Sequence, residues 1–324
     1  MPQLKVSSYT DTAEARQELI AFLEEHWRPH SDNHWQQRMR LWWDENPAAR
    51  DNDERGRQVH QDGRMVAYGG AIPAQIAWQG EQLQAVQATT LCVDESVPKA
   101  AALVFLKQRE IAQVRMLTHT TPNPRVQAAL LKMGARCETS VTRHYFPAGA
   151  ASWLRGRHWW PSLPVGKTLI TDPAAVTALV RPYQKAERIE KWITPEYLRW
   201  FCSLPTRKHH FLGLVDGAGA LSSYLLVTPA HIKGLRAWEV LEAFSTADDD
   251  AEVLALMGQL VRTPSLLPGG AALVTAATFV GDSVWDRTPA LLRRAQQVCH
   301  FFLMTERLRD APKHSVMAEG DMGL

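Results

Sequence analysis

Two stretches of this chain match each other at a fixed spacing of 154 residues, and an internal copy constrains the fold more tightly than any single motif. Asp62-Gly63 stands between an extended segment and the apolar run 65–72, and Asp216-Gly217 stands in the same way before 221–227. Such dipeptides favour hairpin turns. The same spacing carries Gly80 onto Gly234 and Asp94 onto Asp248. Matched positions that all fall where the chain turns imply one fold used twice. A length of 324 residues suits two domains of ordinary size, each able to bury its own core.

The flanking segments keep a common order. Apolar residues at helical spacing (Leu19, Ile20, Leu23; Trp35, Met39, Trp42) predict helices over 12–26 and 33–43, with Asp11 or Thr12 as the cap. After the first hairpin the pattern predicts a helix over 99–113, a strand over 114–119, a helix over 125–133 closed by Gly134, and a strand over 141–146. In the second half, helices are expected over 173–183 and 195–201, then two or three strands between 209 and 244. A helix over 251–262, a strand over 271–279, a helix over 288–298 and a strand over 301–305 complete it. The domains expected are 1–147 and 167–324, with the Pro-, Gly- and Trp-rich segment 148–166 as linker.

Composition narrows the function classes. The 36 basic and 34 acidic side chains leave a formal net charge of +2, which argues against nucleic acid or a membrane surface as partner. Met1–Ile20 carries no apolar core between a basic end and a cleavage site, and no window approaches ~18 uninterrupted apolar residues. A cytoplasmic location is expected. Cys92, Cys137, Cys202 and Cys299 are far apart with no CxxC pair, so all four read as small buried hydrophobes.

The segment GRMVAYGGAIPAQIAWQGEQLQAVQATTLCVDE resembles the second to fourth strands of the GNAT acyltransferase fold, and TPNPRVQAALLKMGARC resembles its fifth-strand exit, Asn turn and following helix. Together with the element order, the chain is similar to duplicated GNAT-like proteins found among polysaccharide and natural-product acyltransferases, WWDENP included. The resemblance implies an α/β (α+β) architecture: two consecutive GNAT-like domains, each a mixed, mostly antiparallel sheet flanked by helices. It further implies an acetyl-CoA or other acyl-CoA donor, or an acyl carrier protein thioester, and no metal. Pantetheine would lie along Leu91, Cys92 and Val93, its pyrophosphate at the helix start Lys99, Ala100, Ala101 and Ala102, with Asn123 touching pantetheine.

Departures from the family pattern locate the donor. Alanines replace both glycines of the phosphate loop, the leading Arg or Gln is absent, and Leu130 stands where a Tyr acid is common. In the second half Asp248, Asp249, Asp250 and Glu252 crowd the matching loop, where like charges repel phosphate; as plain structure they suit a solvated helix start. The donor site is therefore expected in the first half only. A base for the acceptor amine or hydroxyl could be Asp94, His119, Glu239 or Glu242. Strand alternation puts at most one of the two glutamates on a given side. Trp42, Trp43 and Tyr68 are candidates to contact a small-molecule acceptor, one Trp ring walling the pocket and the other filling core.

Two other clusters carry weaker signals. His26, His30 and His34 share a four-residue spacing, but Pro29 and Ser31-Asp32-Asn33 break a helix between them, which disfavours a metal site. Trp153, Arg155, Arg157, His158, Trp159 and Trp160 could stack on bases, though packing of the rings between domains is the commoner fate. The reading is acyl transfer by direct attack on a thioester. Its rivals are a catalytically silent GNAT-like binding module and a Fem-type transferase that takes its donor from aminoacyl-tRNA.

Overall fold

Strand β1 (Leu4–Ser8) lies antiparallel to β2 (Gly56–Gln61), and Asp62-Gly63 forms a two-residue turn, whereas Asp216-Gly217 opens a four-residue connection whose positive φ falls on Gly219. The computed structural model describes residues 3–27, 33–51, 53–154, 159–204, 208–247, 250–279 and 284–319. Asp62 and Gly63 (φ 50° and 82°) turn β2 into β3 (Arg64–Trp78), and Gln79 and Gly80 (φ 53° and 81°) turn β3 into β4 (Glu81–Val93). Positive φ at both central residues matches the right-handed twist of the strands they join. Lys233 and Gly234 (φ 50° and 81°) repeat the device one copy later.

The chain packs as two compact units: residues 1–76, 83–137 and 299–310 in the first, and 77–82, 138–298 and 311–324 in the second. In the first unit the sheet runs β1-β2-β3-β4-β5, with β5 (Met116–His119) parallel to β4, and closes on the end of β14 (Leu292–Leu303), which pairs antiparallel with β5. Helix α1 (Ala13–His26) is capped by the Thr12 hydroxyl, which accepts the Ala15 amide. Helix α2 (His34–Met39) runs into a π-helical turn, Arg40–Asp44. Helix α3 (Ala100–Val114) lays Ala100 and Val104 on Val59, Val66 and Ala67. Ile111 of α3 joins Val126 and Leu130 of α4 (Pro124–Lys132) over Val86, Leu117, Phe301 and Leu303.

The second unit repeats the sheet order and strand senses. Its strands run β7 (Thr168–Ile170), β10 (His210–Val215), β11 (Ala220–Ile232), β12 (Leu235–Ser245), β13 (Leu273–Thr278) and β6 (Arg136–Pro147). Here too the inner pair, β12 and β13, is parallel, and its outer neighbour β6 is antiparallel to it. Short strands β8 (Ala178–Leu179) and β9 (Glu190–Lys191) and helices α5 (Pro195–Cys202) and α6 (Ala251–Arg262) complete the elements. Helix α6 packs on Trp238, Val240 and Val274, together with Trp160 and Trp285. Gly258 lets Trp160 in, since a Cβ there would stand 2.6 Å from the Trp160 Cβ.

Three expectations need correction. Residues 173–183 are not a helix: a single 3-10 turn, Pro173–Ala175, leads to β8, which pairs parallel to Ala220 and Leu221 of β11. Residues 288–298 are not a helix either, because 292 onward is the start of β14; Trp285 and Ala290 of the preceding turn pack into the core instead. Among the cysteines only Cys92 is fully buried, Cys137 is exposed, and all four are free thiols. By packing, residues 138–147 group with the second compact unit and 299–310 with the first.

Candidate functional site

In the first unit, β4 and β5 pair only at Ala85, Val86 and Gln87 with Met116, Leu117 and Thr118. Past Gln87 and Thr118 the two strands no longer pair, and the stretch beyond, Ala88 to Val93 on one side and His119 and Thr120 on the other, is termed the wedge. Three residues further, Thr90 takes φ 47°, a left-handed conformation that costs a β-branched residue about 1–3 kcal/mol. Its hydroxyl shares a hydrogen bond of 3.1 Å with that of Thr89. On the β5 side, His119 and Thr120 follow the last pair. Nε2 of His119, Oγ1 of Thr120 and Oε1 of Gln108 on α3 are all buried without a hydrogen-bond partner. Buried polar atoms are nearly always paired, and the orphaned atoms of His119 and Thr120 stand side by side in sequence just past the last β4–β5 pair. Thr90, Thr120 and Gln108 were missed in sequence; only Gln108, a polar side chain on the apolar face of a helix, carried a signal.

Burial sets the protonation here. It pushes the His119 imidazole down to about 4, so the ring is neutral at physiological pH. It pushes the Cys92 thiol up to about 11, which keeps that sulfur from acting as a nucleophile near neutrality. Leu91 is packed between α3 and β3, its Cδ1 lying 3.7 Å from where a Gly69 Cβ would be, and Val93 packs in the same core.

The expected phosphate loop opens α3. Ala100 is buried, whereas Pro98, Lys99 and Ala102 are exposed. Amides of Ala101 and Ala102 reach back to the carbonyls of Pro98 and Lys99 over 3.3 and 3.2 Å, bonds long enough for a phosphate to replace. Lys99 makes no ionic contact among the described residues. Asn123 is the N-cap of α4, its side-chain oxygen accepting the amides of Arg125 and Val126, each at 3.0 Å.

Asp94 closes β4 as a turn residue. Its carboxylate accepts the hydroxyl and amide of Ser96, which hold it below the usual carboxylate range, and it lies 3.7 Å from His26 and 3.8 Å from Arg64. A base with a raised pKa is thus not what Asp94 provides. Trp42, Trp43 and Tyr68 are core, at 2%, 2% and 0% exposure, so neither Trp ring walls an open pocket. Trp43 Nε1 donates to the Ala71 carbonyl and Tyr68 Oη to that of Arg55.

Glu239 and Glu242 belong to the second unit. A bulge in β12 pairs Val240 with Val227 and Glu242 with Leu226, so the extra residue, Leu241, brings both glutamates to one face despite their odd spacing. Glu239 is ion-paired with Arg143 at 2.6 Å, just where the β12–β13 pairing ends at Thr275. Glu242 accepts Lys191 Nζ at 2.7 Å and Tyr224 Oη at 2.5 Å, and Lys191 also bonds Tyr197 Oη and the Ala318 carbonyl. Nothing in the sequence linked Lys191 to Glu242.

In the acidic loop, Asp250 pairs with Arg287, and Glu252 accepts both the Ser222 and Ser223 hydroxyls; Asp248 and Asp249 lie outside the described residues. His26 shares a 2.9 Å hydrogen bond with the Phe22 carbonyl and His34 packs edge-on to Trp35, while His30 is outside the described residues. Of the linker, Trp160 is core of the second unit, Trp159 is largely exposed, and Arg155, Arg157 and His158 lie outside the described residues.

No family model matches the chain, and no curated protein matches it in sequence. Solved structures do match its fold. A conserved Enterococcus faecalis protein described as a probable N-acyltransferase aligns with a TM-score of 0.64 at 9% identity, over 93% of this chain and 73% of its own. GCN5-related N-acetyltransferases of Anabaena variabilis and Kribbella flavida align with TM-scores of 0.60 and 0.59, at 11% and 14% identity. They cover 93% and 92% of this chain and 72% and 71% of their own. The fold is the GNAT fold.

Proposed function

We propose that this chain transfers an acyl group from a thioester, acyl-CoA or an acyl carrier protein, to the amine or hydroxyl of a small molecule, with the donor bound in the first unit. The observation that carries this reading is the end of the β4–β5 pairing at Gln87 and Thr118, past which His119 and Thr120 each bury a polar atom without a partner. A thioester arm has amides and a carbonyl to offer such atoms, and a helix start with a free lysine suits phosphates. The fold shared with N-acetyltransferases supports the same chemistry. Attack is direct, because the one buried thiol in the wedge region stays protonated.

In the second unit the corresponding opening is bridged by Arg143 and Glu239, and Asp250 with Glu252 occupies the helix start, which supports a structural or acceptor-side role for that copy. A silent binding module is the second reading; the self-bonded first turn of α3 favours it. Thermal shift of the whole chain with CoA, acetyl-CoA and longer acyl-CoAs separates the two, since a ligand that binds only the native state raises the melting temperature. Acyl transfer predicts a rise of several degrees that Lys99→Glu abolishes. No rise with any thioester favours the silent module, and an unchanged response in Lys99→Glu moves the donor away from α3.

A further inference from the structure

A thioester in the wedge, as proposed above, must lose its sulfur with the electron pair of the acyl carbon–sulfur bond. That sulfur needs a hydrogen-bond donor in place before the bond breaks. The polar groups at the wedge divide sharply by what they can give. Asp94 is an anion already occupied by Ser96 and can only accept. Thr89 and Thr90 hydroxyls bond each other. His119 is different: it is the first β5 residue past the last β4–β5 pair, it sits opposite Phe301, itself part of an apolar core, and its Nε2 is buried with no partner.

A neutral imidazole keeps one N–H and cannot lose it to a base of ordinary strength, so it donates a hydrogen bond without giving up a proton. In apolar surroundings such a bond is stronger than in water. We propose that His119 is a catalytic residue whose Nε2–H holds the sulfur of the bound thioester, a role that rests on a thioester occupying this wedge. The acceptor's lone pair forms the new bond to the acyl carbon; the carbon–sulfur pair passes to sulfur, which leaves as a thiolate held by His119. The acceptor's proton is lost to solvent and the thiolate regains one from solvent.

Two CoA analogues differing only in sulfur test this on the full chain. Calorimetry should find that the wild type binds CoA about tenfold more tightly than desulfo-CoA, the size of one hydrogen bond to a charge-bearing group. In His119→Phe the two affinities become equal, with desulfo-CoA binding unchanged within about twofold. The acidity of the bound CoA thiol, followed by thiolate absorbance, should be higher in the wild type than in His119→Phe. Histidine-labelled wild type gives a readout free of substitution: the His119 Nε2 resonance moves with CoA and stays with desulfo-CoA. An unaltered CoA preference in His119→Phe, or a resonance indifferent to sulfur, overturns the role of His119. Failure of both ligands to bind the wild type overturns the thioester reading itself.

Discussion

At the scale of single residues, His119 couples the wedge to pH. Its imidazole is pushed from the ordinary 6.5 to about 4 by burial, so on acidification the unfolded chain takes up the proton first. Stability contributed in this way is intact above pH 6.5 and is lost as pH falls toward 4. Burial moves His144, His210 and His314 in the same direction. For His119 alone the loss between pH 7 and 5 comes to about 2 kcal/mol. Urea unfolding at the two pH values should therefore show a drop in the wild type that His119→Gln reduces by about that amount; equal drops would mean that the ring is solvated. Residue chemistry of this kind was half legible. His119 stood out as a histidine at a strand end and Asn123 as a turn residue between prolines, but its capping of α4 was not foreseen, nothing in Thr89-Thr90 announces a left-handed residue, and no alternation rule foresees the Leu241 bulge. Both arise from where neighbouring strands start and stop, which is not a local property.

Among the elements, helix α3 is the one whose placement the wedge depends on. It reaches the sheet at Gly69, where an added Cβ would lie 2.5 Å from Val104 Cγ1 and 3.2 Å from Gln108 Nε2. Gly69 has no unusual φ, so alanine would normally be the better strand residue there; the close approach reverses the sign. Gly69→Ala should cost about 1–3 kcal/mol as overpacking, and under the function proposed above it should also weaken CoA binding by shifting the helix start at Lys99. Val104→Ala in the same chain opens the space, so the double variant should lose less than the two single losses summed. Strict additivity in chemical denaturation would show that α3 does not press on Gly69. Periodicity found α3, α4 and α6 because their apolar faces are their own. It failed for 173–183 and 288–298, where helix-forming residues such as Ala, Leu, Arg and Gln are drawn into strands by pairing with distant segments, as Ala178 and Leu179 are by β11.

For the whole molecule, the strand order up to the last strand of each unit was legible as an order of turns, but which strand ends each unit's part of the sheet was not. The last strand residues of each half complete the sheet of the other unit: 301–303 pair with β5 in the first, and 142–147 pair with β13 in the second. Cutting the sequence in half therefore does not give two independent folds. If residues 1–147 are expressed alone, β5 loses its partner and the core around Val86, Leu117, Val126 and Leu130 loses Phe301 and Leu303, which are 2% and 5% exposed in the whole chain. Deleting even the side chains of a buried Phe and a buried Leu costs about 3–5 and 2–5 kcal/mol, against a total of about 5–15 kcal/mol for a typical native protein. Segment 142–147 would meanwhile present unpaired strand groups and Phe146 to water. Residues 1–147 should accordingly show no cooperative thermal transition by circular dichroism and should aggregate, whereas a chain in which 299–310 is tethered after residue 137 should regain one. A cooperative melt in 1–147 alone would mean that β5 and its core do not need the second half of the chain.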